Sequence, residues 1–564
     1  MKPSMLLALS AALLSSPALA DTLIDHVNGI QVDAAGHLQR FTGILIGGDG
    51  KVIRLLRAGE ARPKAAATID ECGQTLLPGF IDAHGHVIES SGGDIGLGLM
   101  LLQLDLNGTT SVEDLKQRLR SYAAANPGSG WIRGRGWNQE LWSDKRFPTA
   151  ADLDAVVSDR PVLLTRVDGH AAVGNSIALK MAGITAGTRD PQGGRIERDS
   201  NGRPTGLLVD NAVDIAMATI PRPSAPQLDE ALAKAQQVLL SFGVTAAGAM
   251  STPLSSWQAM RRAGAAGRLN VRFMVYADQL GSLKAVPAPT KWLYGDRLRM
   301  VGLKFYADGA LGSRGAWLKQ PYADRPDTRG LQFHPDAELL KLADTAASHG
   351  FQVAIHAIGD AANAQVVGVY EILSAKYGKD RRWRIEHFQI VDPTDIPRLA
   401  PAGIIASMQP VHQTSDRLMA EKRLGQNRLA GAYAWQSVLK SGARLAFGTD
   451  FPVESPNPFP GLSAAISRQD INGQPPGGWI PSERLSFEQA LDAYTRGAAY
   501  AGFAEDKIGS LAPGKWADFV LVDRDPTKVD AQSLARTQVL ETWVGGEKVW
   551  SRAPSGAGRP ERGQ

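Results

Sequence analysis

A single cysteine, Cys72, stands among 564 residues, which excludes an intramolecular disulfide framework. No segment reaches the roughly 18 uninterrupted apolar residues that a membrane-spanning helix requires. The excess of one charge sign is small, with 61 basic against 57 acidic residues and a net charge of +4. No lysine- or arginine-rich run occurs, so nucleic acid is a poor candidate partner. Internal repeats and low-complexity tracts are also absent. What remains, 43% hydrophobic and 21% charged residues, is the make-up of an ordinary globular protein, and the length predicts roughly two to four domains.

The first residues carry the pattern of an export signal. Lys2 supplies the positive start, "MLLALSAALL" (5–14) the apolar core, and "ALA" (18–20) a small-x-small cleavage site. Residue 21 is Asp rather than Cys, so no lipid anchor is indicated on a mature chain beginning there. The expectation is a signal peptide over 1–20 and an exported, periplasmic enzyme without a membrane anchor after cleavage. A homo-oligomer is allowed but not specified.

Short strand-like runs with turn punctuation fill residues 21–78, as in "GILIGGDGKVIRLL", and recur over 507–551 in "KIGSLAPGKWADFVLVDRDP" and "VLETWVGGEKVW". The two chain ends are expected to build one small β-sandwich domain together. Between them, over 79–506, apolar runs alternate with helical stretches, the pattern of βα units around a parallel sheet. Eight runs can be counted, at 79–86, 243–250, 271–277, 300–309, 351–360, 383–390, 403–410 and 443–450. Eight closes a (β/α)8 TIM-type barrel, so the fold class is α/β. The gap between the first two runs is far longer than an ordinary βα loop and has patterns of its own, so residues about 90–225 read as an inserted lobe.

Metal-capable side chains recur where these runs end. Run one ends in His84 and His86, which share one face of a strand. Run four carries Lys304 and Asp308, run five ends in His356, run six carries His387, and run eight ends in Asp450. Alone, the His-Gly-His pair fits turn chemistry as well as it fits metal binding. Together, the set sits where a TIM barrel gathers its catalytic groups, at the C-terminal strand ends.

The ordered set, with the wording "PGFIDAHGH", "LKFYADGALGSRGAW", "QVAIHAIGDAAN", "RIEHFQI" and "FGTDFPVESPNP", resembles the amidohydrolase superfamily. The similarity is to its YtcJ-like, N-substituted-formamide-deformylase-like branch, and it extends to "RVDGHAAVGNSIAL" (166–179) and "GSLAPGKWADFVLVD". The resemblance implies two divalent metals per chain, zinc being well suited to imidazole and carboxylate ligands. It assigns His84, His86 and Asp450 to the more buried ion and His356 and His387 to the more exposed one. Lys304 would bridge them as a carbamate formed with CO₂, since an ammonium offers no lone pair. An ordinary lysine beside a one-metal site is the alternative.

The implied activity is hydrolysis of a C–N bond in a small amide, N-acyl or N-formyl compound. Metal-activated hydroxide would attack the carbonyl, with Asp450 as general base and then acid. The same site would serve an ester or lactone hydrolase or a deaminase, and a non-catalytic binding protein is a further alternative. Near run seven, His412 is either an oxyanion donor or a loop residue, and Gln409 is expected to face the pocket. His170 is read as a wall residue or a structural cap. Trp131, Trp137 and Trp142 either line the pocket, Trp137 foremost, or form the core of the inserted lobe. Arg496 is expected in a structural ion pair.

Overall fold

The computed structural model describes residues 21–89 and 96–553, and the proposed signal segment lies outside them. Eight parallel strands form the central sheet: β1 (Phe80–Gly85), β2 (Val244–Thr252), β3 (Arg272–Ala277), β4 (Leu298–Tyr306), β5 (Gln352–Ala357), β6 (Arg384–His387), β7 (Ile405–Met408) and β8 (Arg444–Phe447). They pair in chain order. Buried along nearly their whole length, as β2 and β3 are at every position, they read as continuous apolar runs because both sheet faces are covered. Each of the eight runs seen in the sequence overlaps one strand, although β2 continues two residues past its run and β4 begins two residues before its own.

The barrel closes between its first and last strands just past the end of β8. There the Asp450 N–H donates to the His84 carbonyl at 2.8 Å, and the His86 N–H donates to the Phe451 carbonyl at 2.7 Å. Two glycines permit this approach. A Cβ on Gly85 would meet the Phe451 ring at 2.1 Å, and one on Gly448 would meet the His84 nitrogen and Asp82 Oδ1 at 2.6 Å. Helices follow most strands, among them Leu254–Ala265, Asp336–Ser348 and Asp360–Tyr377. The β3–β4 connection holds only a short 3₁₀ turn, Leu280–Lys284.

The chain ends share one eight-stranded sheet, so the expected sandwich takes the form of a single branched sheet. Thr22–Val32 is bulged between Asp25 and Gly29. Its first half pairs with Ala67–Asp70 and its second with Thr75–Pro78. Thr75–Pro78 then pairs with Phe519–Val522 from the far end of the sequence. Ile24, Phe41, Leu76, Phe519 and Trp543 meet in one core. A buried ion pair ties this domain to the barrel, Arg272 gripping Asp518 at 2.7 and 2.9 Å.

Residues 95–235 form a second compact unit, ending ten residues beyond the sequence estimate because helix Ala225–Ser241 starts inside it. Its six-stranded sheet is buried on both faces. Neighbouring residues alternate between two cores, Leu164, Val173 and Leu207 in one and Leu163, Ala172 and Leu208 in the other, as strand geometry requires.

Candidate catalytic site

At the C-terminal end of the barrel, His84, His86, Lys304, His356, His387 and Asp450 come from β1, β4, β5, β6 and the turn after β8. Two of them are left-handed themselves, His387 at φ 74° and Asp450 at φ 59°, and Phe388, which follows His387, is left-handed too at 44°. Such a conformation costs about 1–3 kcal/mol per residue and persists where the surroundings dictate it. Here it turns His387 and Asp450 off their strand ends toward the same centre, so that ligand atoms of His84, His387 and Asp450 lie within 4.8 Å of one another.

Three hydrogen bonds set the imidazoles. His84 Nδ1 is 2.7 Å from Glu386 Oε2, His86 Nδ1 is 3.3 Å from the Met250 carbonyl, and His387 Nδ1 is 2.9 Å from Gln409 Oε1. Each partner accepts, so each ring carries its proton on Nδ1 and presents a lone pair at Nε2. Two of those Nε2 atoms face another acceptor. His86 Nε2 is 3.3 Å and His84 Nε2 3.5 Å from Asp450 Oδ1. Asp450 Oδ1, His84 Nε2, His356 Nε2 and His412 Nε2 are all buried without a hydrogen-bond partner.

The charge states sharpen the point. Burial, then the Lys304 charge, lowers His84 to about 4 and His356 to about 3, so both are neutral at pH 7. Burial, then neighbouring His356, holds His387 far below its ordinary value. Burial opposes ionisation of Asp450, but the surrounding imidazoles, His84 first, hold its carboxyl well below the usual range. Neutral nitrogen lone pairs pointed at a carboxylate require a cation between them. Tetrahedral ligands at 2.0–2.1 Å are separated by about 3.4 Å, close to the distances found, so these residues fit a divalent metal.

Lys304 is buried, with Nζ 4.5 Å from the centroid of the Tyr306 ring. Asp308 accepts from the backbone N–H groups of Ile358, Gly359 and Trp317 at 2.8–3.0 Å, and its Oδ1 also stands 3.5 Å from His356 Nε2. Burial pushes its carboxyl up to about 7. His412 Nε2 is 3.9 Å from Asp450 Oδ2.

Sequence reasoning missed the support beneath the ligands. Arg384 is fully buried and holds Glu386 through Nε at 2.7 Å and Nη2 at 3.1 Å, reaching also Ala83 O, Ser407 Oγ and the Tyr276 hydroxyl. Although burial opposes it, the Arg384 guanidinium keeps the Glu386 carboxyl below its ordinary range. The alternation Arg384-x-Glu386 in an apolar strand was the available signal, because both side chains point into the barrel. Asp82, two residues before His84, accepts from Thr449 Oγ1 at 2.6 Å and ties β1 to the turn after β8.

Several expectations change. Trp137 is not a pocket wall: it is fully buried in the core of the 95–235 unit with Trp142, its Nε1 donating to the Leu164 carbonyl at 2.8 Å. Trp131 packs against that unit's other core. His170 is exposed and pairs with Asp210 at 2.9 Å. Gln409 fixes His387 rather than simply facing a pocket. Arg496, by contrast, makes the structural ion pair expected of it, with Asp492 at 3.0 Å.

A parallel barrel with imidazoles and a carboxylate converging at its C-terminal end defines a metal-dependent barrel hydrolase. The model of the Amidohydrolase family matches residues 67–550. The chain is 34% identical over 491 residues to the YtcJ protein of Bacillus subtilis (strain 168), covering 85% of this chain and 90% of that protein. It is 27% identical over 556 residues to an N-substituted formamide deformylase of Arthrobacter pascens, covering 95% and 99%. An uncharacterized metal-dependent hydrolase of Pyrococcus horikoshii matches in structure with a TM-score of 0.74 at 29% identity, covering 91% of this chain and 99% of that one. The chain belongs to the amidohydrolase family and is an enzyme acting on C–N bonds other than peptide bonds, with a small molecule as substrate. Among the described residues, no helix is long and apolar enough to cross a membrane.

Proposed function

We propose that this enzyme hydrolyses the C–N bond of a small N-acyl or N-formyl amide at a centre for two divalent cations, zinc being the first choice. The observation that carries the reading is the set of buried acceptors without donors: His84 Nε2, His356 Nε2 and Asp450 Oδ1. His84, His86 and Asp450 would hold one cation and His356 and His387 the other, with Lys304, carboxylated on Nζ, between them. Bound there, divalent cations supply a water of lowered pKa and Lewis acidity toward a carbonyl oxygen.

The side chains do the rest. Asp450, ionised and unpartnered at Oδ1, accepts the proton of the attacking water and returns it to the departing nitrogen. His412, orphaned at Nε2 and 3.9 Å from Asp450, donates to the carbonyl oxygen as negative charge develops there. Glu386 and Gln409 keep their imidazoles in the ligating tautomer. The named activity of the Arthrobacter relative supports N-formyl amides as the first substrates to try.

The test is elemental analysis of purified protein together with turnover of a panel of N-formyl and N-acyl amides. Close to two metals per chain are expected, with metal and activity lost together in His387→Ala. Lys304→Ala should be inactive and partly rescued by short carboxylic acids. Turnover that survives complete chelation would overturn the reading. Export is part of the same proposal, supported by the pattern of residues 1–20: sequencing of exported protein should begin at Asp21, and a retained Met1 would refute it.

A further inference from the structure

Away from the metal ligands, between the β-domain, the start of β8 and the helical segment that follows the barrel, lies a cavity of about 630 Å³. That volume suits a small organic ligand. Its walls are of two kinds. Leu55, Ala34 and Pro513 are apolar, lying over buried Val32, Phe41 and Ile508, and Arg57, Arg444 and Lys515 bring positive charge.

Other cations on the wall are already neutralised: Arg40 by Asp525 at 3.1 Å, Arg54 by Glu60 at 2.6 Å and Arg496 by Asp492 at 3.0 Å. The acids are also engaged. Glu505 is held by Arg382 at 2.5 Å, and Asp33 accepts from the backbone N–H groups of Ala35 and His37 at 2.9 Å. Arg57, Arg444 and Lys515, by contrast, form no ion pair with any described residue. Arg444 lies 4.8 Å from the centroid of the Tyr500 ring, which also carries Arg382 at 3.8 Å. Lys515 is half-buried, its Nζ donating to Ser510 Oγ at 2.9 Å, and burial together with the nearby Arg496 charge pushes its pKa down. Like charges gathered beside apolar walls attract an anion.

We propose that this cavity binds a small amphipathic carboxylate, its head group against Arg444, Lys515 and Arg57 and its alkyl or aryl body against Leu55, Ala34 and Pro513, the lining apolar residues that reach the surface. An inorganic anion would leave the apolar wall wet, and an uncharged hydrocarbon would leave the cations with only the more distant carboxylates of Glu60, Asp492, Glu505 and Asp506. The site is separate from the catalytic centre. Arg444 opens β8 and Asp450 follows its far end, a span of up to about 20 Å at 3.3 Å per residue.

The probe is decanoate, titrated calorimetrically into the metal-loaded full chain, with acetate and decanol as head-only and body-only controls. Decanoate should bind at least tenfold more tightly than either control. Arg444→Gln/Lys515→Gln should weaken it at least tenfold with metal content unchanged, and Arg444→Lys should retain binding. Because Arg57 and Arg444 are exposed, the single variants Arg57→Gln and Arg444→Gln, checked by melting temperature, carry the test if the double variant does not fold. Decanoate binding that survives these substitutions but disappears on chelation would place it at the metal centre and overturn the proposal, as would no binding at all.

Discussion

Replacing Glu386 by glutamine removes one charge and almost no volume. Glu386 is fully buried and makes three short contacts, to His84 Nδ1 at 2.7 Å and to Arg384 at 2.7 and 3.1 Å. Glutamine has one acceptor oxygen to offer where the carboxylate had two. If that oxygen faces Arg384, the amide NH₂ opposes the His84 Nδ1–H, and relief requires moving the ring proton to Nε2, where it blocks ligation. If it faces His84, the NH₂ opposes the guanidinium. In both cases Arg384 keeps a buried charge without its counterion, which costs about 3–5 kcal/mol of folding stability. Loss of the acceptor behind a ligand histidine weakens metal binding about 10–100-fold, which corresponds to about 1.4–2.8 kcal/mol. Urea unfolding of the metal-free protein reads the first quantity and competition against a chelator the second. Arg384→Met/Glu386→Gln separates them: removing the stranded cation should restore much of the folding stability while metal affinity stays low. A Glu386→Gln protein with wild-type unfolding and a metal Kd within twofold of wild type would refute the reasoning.

Gly85→Ala should lose metal while leaving most of the fold intact, since its Cβ would meet the Phe451 ring at 2.1 Å and displace the turn that carries Asp450; wild-type metal content would count against this. Trp137→Ala should destabilise the 95–235 unit by about 3–5 kcal/mol and leave the ranking of substrates unchanged, which melting curves and a substrate panel would check. Metal affinity should have an unusual pH profile. Histidines titrating at the ordinary 6.5 would begin losing metal as soon as pH falls below that value, because protons compete for the ligand nitrogen. With His84 at about 4 and His356 at about 3, proton competition at these ligands should set in only as pH falls toward 4. Chelator competition from pH 7.5 to 5 should therefore show a nearly flat contribution from His84 and His356, and a steady loss of tenfold per pH unit for each of them across that range would contradict the burial argument.

The barrel was legible because parallel strands buried on both faces leave uninterrupted apolar runs, and the strand-end histidines stood out as polar residues closing such runs. Local pattern, however, does not reveal which side chain stands behind another. Glu386 reads as one more charged residue in "RIEHFQI", and only the barrel's curvature brings it under His84, 302 positions earlier. Trp137 misled for the opposite reason: an aromatic cluster beside glycines looks the same whether it walls a pocket or fills a core, and the alternation of the lobe's sheet decides it. The left-handed backbone at His387 and Asp450 left no trace in residue type, since neither position holds the glycine that such a conformation favours. Their strain is imposed by tertiary structure.

The seam between β1 and the turn after β8 is also where the ligands sit, and this has a consequence for how the protein is made. Asp82 and Thr449, which hold that seam, are 367 residues apart in the chain. Bringing such distant segments together is an entropic cost that must be met before any long-range contact rewards it. His84 and His86 leave the ribosome early, yet they lack Asp450 until nearly the whole barrel has been synthesised. A nascent or truncated chain can therefore fold strands and helices without owning a complete set of ligands. Metal uptake then reports that the last strand has joined the first, and a bound ion draws the equilibrium toward the closed barrel by mass action.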